Sequence, residues 1–370
     1  MDDVIASRMS KLSVDERHAI STVFPNAEIV RLLQAEPEVL VEKIDSVFLF
    51  HPGIAERYCY SYILKDVVLH NEPHNLKLET EEDIDLFDNV VARTLDELKG
   101  VPGSDSLVLT RYYIDFLTGS AARNKKKKAL CRLINSKRNH AIMTDKIKKL
   151  FPAWINSLED LFDYKVVAEK YGYYITEFLE LDICPYCGIE NIQTYKAGDI
   201  DVRPDLDHFY PKTRFPFLAM SIYNLIPSGH ICNQKHKKNH SMLGHLHPFS
   251  DGIDEGALFV FGYIPDSKIE HTLNVSLTRQ TSDAKENNLK IFKINPLYNN
   301  NNELKRWFAK TQNIMNIYKE NGGSIKEYVG FEFIVNLGIP ETCEFAQKYK
   351  VDALNDMFGE DFTITQQKHK

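Results

Sequence analysis

Through the first 170 residues, apolar side chains recur every three or four positions between polar ones, a spacing that predicts helices. Ser13 and Glu16 make a capping-box pattern ahead of one such run. Residues 37–50, 54–70 and 105–118 keep the helical interval. Thr80 and Asp83 open another helix, which Gly100 and Pro102 stop. The periodicity disappears over 175–245, where Pro, Gly, His, Cys and aromatic residues crowd together. Beyond that, 257–264 and 271–279 have the β-branched and aromatic character of short strands. Residues 302–320 return to helix, and the polar tail from 360 is expected to fray. The pattern predicts an α+β chain with no internal repeat. A mainly helical region spans 1–170, an irregular central segment 171–250, and a small α/β region 251–370.

Composition narrows the class. Of 370 residues, 43% are hydrophobic and 26% charged, the balance of a soluble globular protein. No apolar run approaches the roughly 20 residues that cross a bilayer, and the N-terminus lacks the basic-then-apolar order of a secretory signal. A cytoplasmic protein is the expectation, and a reducing compartment disfavours disulfides. Cys59, Cys131 and Cys343 sit in apolar or helical contexts and read as small core residues. Cys184 and Cys187 differ, because two residues between thiols is a metal-ligand spacing.

The net charge of −7 hides a polarised chain. Residues 1–118 hold 11 Lys/Arg against 22 Asp/Glu, whereas 119–149 hold 11 Lys/Arg against Asp145 alone. The basic stretch includes Lys125, Lys126, Lys127 and Lys128, followed by an apolar stripe of Leu130, Leu133 and Ile134. It reads either as a solvated charged helix or as a phosphate-binding face, whose affinity would be independent of sequence and sensitive to salt.

The central segment carries the chemistry. Hydrolysis of a phosphodiester needs a base for water, neutralisation of the phosphate and stabilisation of the departing oxygen. His208 suits the first task. The Asp207 carboxylate and the Asn233 amide are hard ligands that suit Mg²⁺ or Mn²⁺ for the others. Residues 202–209 read as a strand that ends near Tyr210 and Pro211, and 224–227 as a returning strand. Residues 230–238 then read as a helix presenting Asn233 from its first turn.

Four blocks bring these residues together: CPYC at 184–187, DHFYPK at 207–212, NLIPS at 224–228 and CNQK at 232–235. Asn224 lies 16 residues after His208, and Asn233 nine after Asn224. The segment resembles the HNH (ββα-metal) endonucleases, in the variant whose third letter is Asn. The resemblance covers about 60 residues, near one-sixth of the chain. It implies His208 as general base, Asp207 and Asn233 as ligands of the catalytic ion, and Asn224 as the brace that orients His208. Lys235 would contact phosphate, with Lys212, Lys237 and the basic run as further nucleic-acid contacts. It also implies a zinc knuckle of two CxxC pairs. Cys232 matches the last thiol, but Gly229 stands where its partner thiol should be. Three thiols do not close a tetrahedral zinc site. His230 is the expected fourth ligand, with His236, His240 or His245 as substitutes. A metal-free knuckle of three packed thiols is the alternative.

Tyr186, Phe209 and Tyr210 read as packing groups for that knuckle rather than base-stacking platforms. His245 and His247, with Asp251 and Asp254, are read as the irregular exit from the core rather than a second metal site. The expected function is DNA hydrolysis by a divalent-metal-dependent endonuclease, giving 5′-phosphate and 3′-hydroxyl ends. An RNase with the same site, or a non-catalytic zinc-knuckle nucleic-acid-binding protein, is the alternative. The architecture also resembles effector nucleases of bacterial anti-phage defence, such as the HNH partner in Septu-type systems, which works with an ATPase. Residues 294–300 resemble segments downstream of the core in such proteins. That resemblance implies an ATPase partner, with the helical N-terminal region binding substrate, partner or regulator.

Overall fold

A computed structural model describes residues 2–138, 144–250, 252, 256–265, 268–322 and 344–359. Among the described residues helices dominate, and three two-stranded sheets complete an α+β architecture. The chain divides into two compact units. One comprises Met1–Val167, His208–Asn224 and Asn239–Leu243; the other comprises Ala168–Asp207, Leu225–Lys238 and Gly244–Lys370. The segment 171–250, expected as one domain, is therefore shared between them. Cys343, Asp251, Asp254 and the tail from 360 lie outside the described residues. Among the described residues no helix is long and apolar enough to cross a membrane.

In the first unit, local signals set the helix starts. Ser13 Oγ accepts from the Glu16 amide and Glu16 Oε2 accepts from the Ser13 amide at 3.1 Å, which opens the helix Val14–Val23. Thr80 Oγ1 accepts from the Asp83 amide at 3.1 Å and opens Glu81–Lys99, which ends at Gly100. The run 54–70 departs from expectation. It forms Pro52–Tyr58 and Tyr60–Ile63, broken at Cys59. Every residue from Ile54 to Tyr60 is buried, so no single helical face is singled out and packing decides the backbone path. The basic helix Arg123–Arg138 is a core element: Leu130, Leu133 and Ile134 are buried with Phe87, Val90 and Leu98.

Aromatic packing explains why 208–224 belongs with these helices. Phe215 stacks on Phe48 at 5.7 Å and Phe217 on Phe24 at 5.9 Å between ring centroids. Ser221 donates to the Leu32 carbonyl at 2.6 Å.

In the second unit, β1 (Tyr195–Ala197) and β2 (Ile200–Val202) form an antiparallel hairpin, with Gly198 at φ +64° in its turn. β3 (Asp205–His208) pairs with β4 (Leu225–Ser228). The strand read over 202–209 is shorter than expected, because Pro204 has no amide to give a ladder. β5 (Phe259–Gly262) and β6 (Asn274–Leu277) are antiparallel, in register Phe259 with Leu277. Their buried face meets Tyr298, Phe308 and Tyr349. The buried Asp352 carboxylate accepts from the Leu258 and Phe259 amides at 2.8 and 3.0 Å.

Glu56 is fully buried in the first unit, where its carboxylate accepts from the Leu109 and Thr110 amides at 3.2 and 2.8 Å. It caps the helix Val108–Thr118 from a distant position in the chain. Burial raises its pKa above 4.5, against the lowering effect of those hydrogen bonds. A raised carboxyl contributes stability that is full below the unfolded pKa and lost as pH rises through the folded one. Relative to Glu56→Gln, the wild type should therefore lose stability as pH climbs from the ordinary carboxylate range, which denaturant titrations at several pH values would show. Glu56→Ala, which leaves the helix end unsatisfied, should cost roughly 2 kcal/mol.

Candidate metal centre and catalytic residues

Residues 182–192 fold back on themselves: Cys184 donates to the Glu190 carbonyl at 2.8 Å and Ile192 to Asp182 at 2.9 Å. A tight turn at Cys184–Gly188 closes the end, with Gly188 at φ +67°. The helix Ile231–Lys237, wound with π geometry, brings Cys232 to the same place. The three sulfurs of Cys184, Cys187 and Cys232 are buried and lie within 4.8 Å of one another. A tetrahedral zinc ion with Zn–S bonds of about 2.3 Å sets its sulfurs about 3.8 Å apart, inside that limit. The group can hold a metal ion such as zinc.

The thiols are electrostatically unequal. Hydrogen bonds from Cys184 and Cys232, and from the Glu190 and Ile189 amides, hold Cys187 below the ordinary thiol range. Burial, with the neighbouring Cys187, pushes Cys184 up, and contact with both other sulfurs raises Cys232 as well. A sulfur converged on by N–H and S–H donors is prepared as a thiolate, the form that ligates metal.

No histidine joins this group among the described residues. His230, the expected fourth ligand, points elsewhere: its Nδ1 lies 3.4 Å from Asp205 Oδ2, and its side chain is 68% exposed. His236 Nδ1 is buried without a hydrogen-bond partner, but it too stands outside the convergent set. His240 and His245 are not part of it either. His247, beyond the core, accepts from the Phe249 amide through Nδ1 at 3.2 Å.

Asp207 is buried on β3. Its Oδ2 accepts from the Tyr186 hydroxyl at 2.7 Å, and its Oδ1 faces Lys237 Nζ at 3.0 Å. Lys237 is 2% exposed, which corrects its reading as a nucleic-acid contact: its ammonium neutralises a carboxylate inside the protein. Burial lowers its pKa and Asp207 opposes that shift. Tyr186 is a packing group, stacked 4.3 Å from Phe292.

The carboxylate beside Asn233 is Asp205. Asn233 Nδ2 donates to Asp205 Oδ2 at 3.2 Å, and Asp205 keeps 41% side-chain exposure. Positions i and i+2 of a strand face the same side, so alternation along Asp205-Leu206-Asp207 was the signal that would have found this residue. Asp207, assigned to the catalytic ion from sequence, already has an ammonium as its cation.

In the first unit, the buried His208 ring has Nε2 3.0 Å from the Ala219 carbonyl and meets the Tyr164 ring edge-on at 4.5 Å. A carbonyl only accepts, so Nε2 donates to it. The fully buried Asn224 carboxamide accepts from the Tyr210 amide at 2.7 Å and donates to the Tyr210 and Leu218 carbonyls at 3.0 and 2.9 Å. It therefore staples both ends of the loop that carries Ala219. Phe209 and Tyr210 are buried packing groups.

Of the lysines expected to meet nucleic acid, Lys235, Lys125 and Lys128 are exposed and Lys126 is half-buried. Lys212 Nζ lies 5.5 Å above the Tyr164 ring. Lys127 is corrected: it donates to the Leu76 carbonyl and so helps to hold its own unit together.

Truncating Lys237 to Ala strands the Asp207 charge in the interior. Breaking a buried pair in this way typically costs about 3–5 kcal/mol, and a shift of that size in urea unfolding is expected. The double replacement Lys237→Met with Asp207→Leu should recover most of it.

The chain matches no family model, no curated protein and no solved structure.

Proposed function

We propose that the chain is a divalent-metal-dependent endonuclease of the HNH type that hydrolyses DNA phosphodiester bonds. The observation that supports it most is the setting of His208. The Ala219 carbonyl holds its proton on Nε2, and the Asn224 staple fixes the loop from which that carbonyl projects. The other ring nitrogen of His208 would take a proton from the attacking water as hydroxide adds to phosphorus and the bond to O3′ breaks, the departing O3′ taking its proton from solvent. The imidazolium so formed keeps its Nε2 hydrogen bond throughout. By resemblance to HNH endonucleases, a Mg²⁺ or Mn²⁺ ion would supply charge neutralisation at the phosphate and the leaving oxygen. Exposed Lys235, Lys125 and Lys128 would draw the polyanion in. By resemblance, the ends carry 5′-phosphate and 3′-hydroxyl.

A second reading, a non-catalytic zinc-knuckle module that binds nucleic acid, has one observation in its favour: Asp207 is already neutralised by Lys237. Plasmid, single-stranded DNA and RNA incubated in parallel with Mg²⁺ or Mn²⁺ separate the readings. Chelator-sensitive nicking of plasmid is expected from wild type, and His208→Ala should lose about 100-fold or more while still binding DNA. Cleavage of RNA alone would make the protein an RNase. Binding without cleavage would leave only the module.

The finer proposal is a cytoplasmic effector of anti-phage defence acting with an ATPase. Affinity purification of the tagged protein from cells that carry its genomic neighbours should bring down that ATPase, and its absence would remove this part of the proposal.

A further inference from the structure

We propose that Glu190 closes the metal centre as a fourth, oxygen ligand beside Cys184, Cys187 and Cys232. Steric crowding at Gly229 points to it. Gly229 stands three residues before Cys232, in the register of a missing thiol. A Cβ built on Gly229 would lie 1.9 Å from Glu190 Oε2 and 2.1 Å from its Cδ. Both distances are far inside contact, so the carboxylate of Glu190 occupies the space that a cysteine side chain at 229 would need. Gly229 is not among the glycines with positive φ, so room for Glu190, and not backbone freedom, accounts for the missing side chain.

The backbone around Glu190 is already committed to the thiols. Its carbonyl accepts from the Cys184 amide at 2.8 Å, its amide donates to the Cys187 sulfur, and Gly229 donates to the Cys184 sulfur. Oε1 faces the Ile231 amide at 3.4 Å, one residue before Cys232. The carboxylate is not yet within the 4.8 Å span of the three sulfurs, so ligation requires side-chain rotation while the backbone stays in place. A carboxylate oxygen is an accepted zinc ligand at about 2.0–2.2 Å, and it completes a tetrahedron that three thiolates leave open. A carboxylate is a deprotonated ligand, the form that metal binding requires. The competitors are His230, turned toward Asp205, and His236, whose buried Nδ1 has no hydrogen-bond partner.

The inference does not rest on nuclease activity, and its test reads the metal itself. The full chain would be prepared as wild type, Glu190→Gln, Glu190→Ala, His230→Ala and His236→Ala. Zinc content and zinc affinity would be measured by competition with a chromophoric chelator, and ligand identity from the absorption bands of the Co²⁺-substituted protein. Wild type should retain about one zinc per chain. Glu190→Gln, which preserves shape and removes the charge, should weaken zinc binding about 100-fold and alter the cobalt bands, with both histidine variants unchanged. The double change Glu190→Ala with Gly229→Cys should restore tight binding with a four-thiolate cobalt spectrum, which guards against simple misfolding of the single variants. The proposal is overturned if Glu190→Gln keeps wild-type affinity and spectrum, if His236→Ala or His230→Ala is the variant that loses the metal, or if wild type binds none.

Discussion

A charge pair removed from water organises the second unit. Asp207 and Lys237 are almost wholly buried, and Tyr186 donates the remaining hydrogen bond. Desolvating two ions is costly unless each is well paired, so these three side chains hold their positions strictly. Tyr186 lies between Cys184 and Cys187, Asp207 is on β3, and Lys237 ends the helix that carries Cys232 and Asn233. One interaction thus links the thiol turn, a strand and the helix. It also leaves Asp205, and not Asp207, as the exposed carboxylate beside Asn233.

The loop from His208 to Asn224 depends on a different force. Phe215 and Phe217 bury large aromatic area among N-terminal helices, and the Asn224 side chain satisfies the Tyr210 amide and carbonyl and the Leu218 carbonyl. A buried amide with every partner supplied stiffens a loop more than apolar packing alone. The position of the Ala219 carbonyl beside His208 Nε2 follows from that stiffness.

The basic helix shows how one element can serve two purposes. Its apolar stripe is core, Lys127 is consumed by a backbone carbonyl, and Arg123 pairs with Asp88 at 2.8 Å. What remains for a phosphate surface is the outer row, including Lys125 and Lys128. The formal charge of the run therefore overstates the charge offered to a polyanion.

The sequence by itself determined what local chemistry controls. Helix starts at Ser13 and Thr80 were readable because a cap needs only residues three apart. The thiol pair at 184 and 187 was readable from its spacing, and the strand–loop–strand–helix order around His208 from its punctuation by Pro and Asn. Three things were settled only by the tertiary structure, each by partners remote in the chain. Lys237 is buried because Asp207, 30 residues earlier, neutralises it. His230 turns toward Asp205 and away from the sulfurs. Glu190 fills the space at Gly229, a relation that no spacing rule encodes. Periodicity and motifs report which side chains are suited to a task; whether a charge meets water, an opposite charge or a metal depends on which distant segments pack against it.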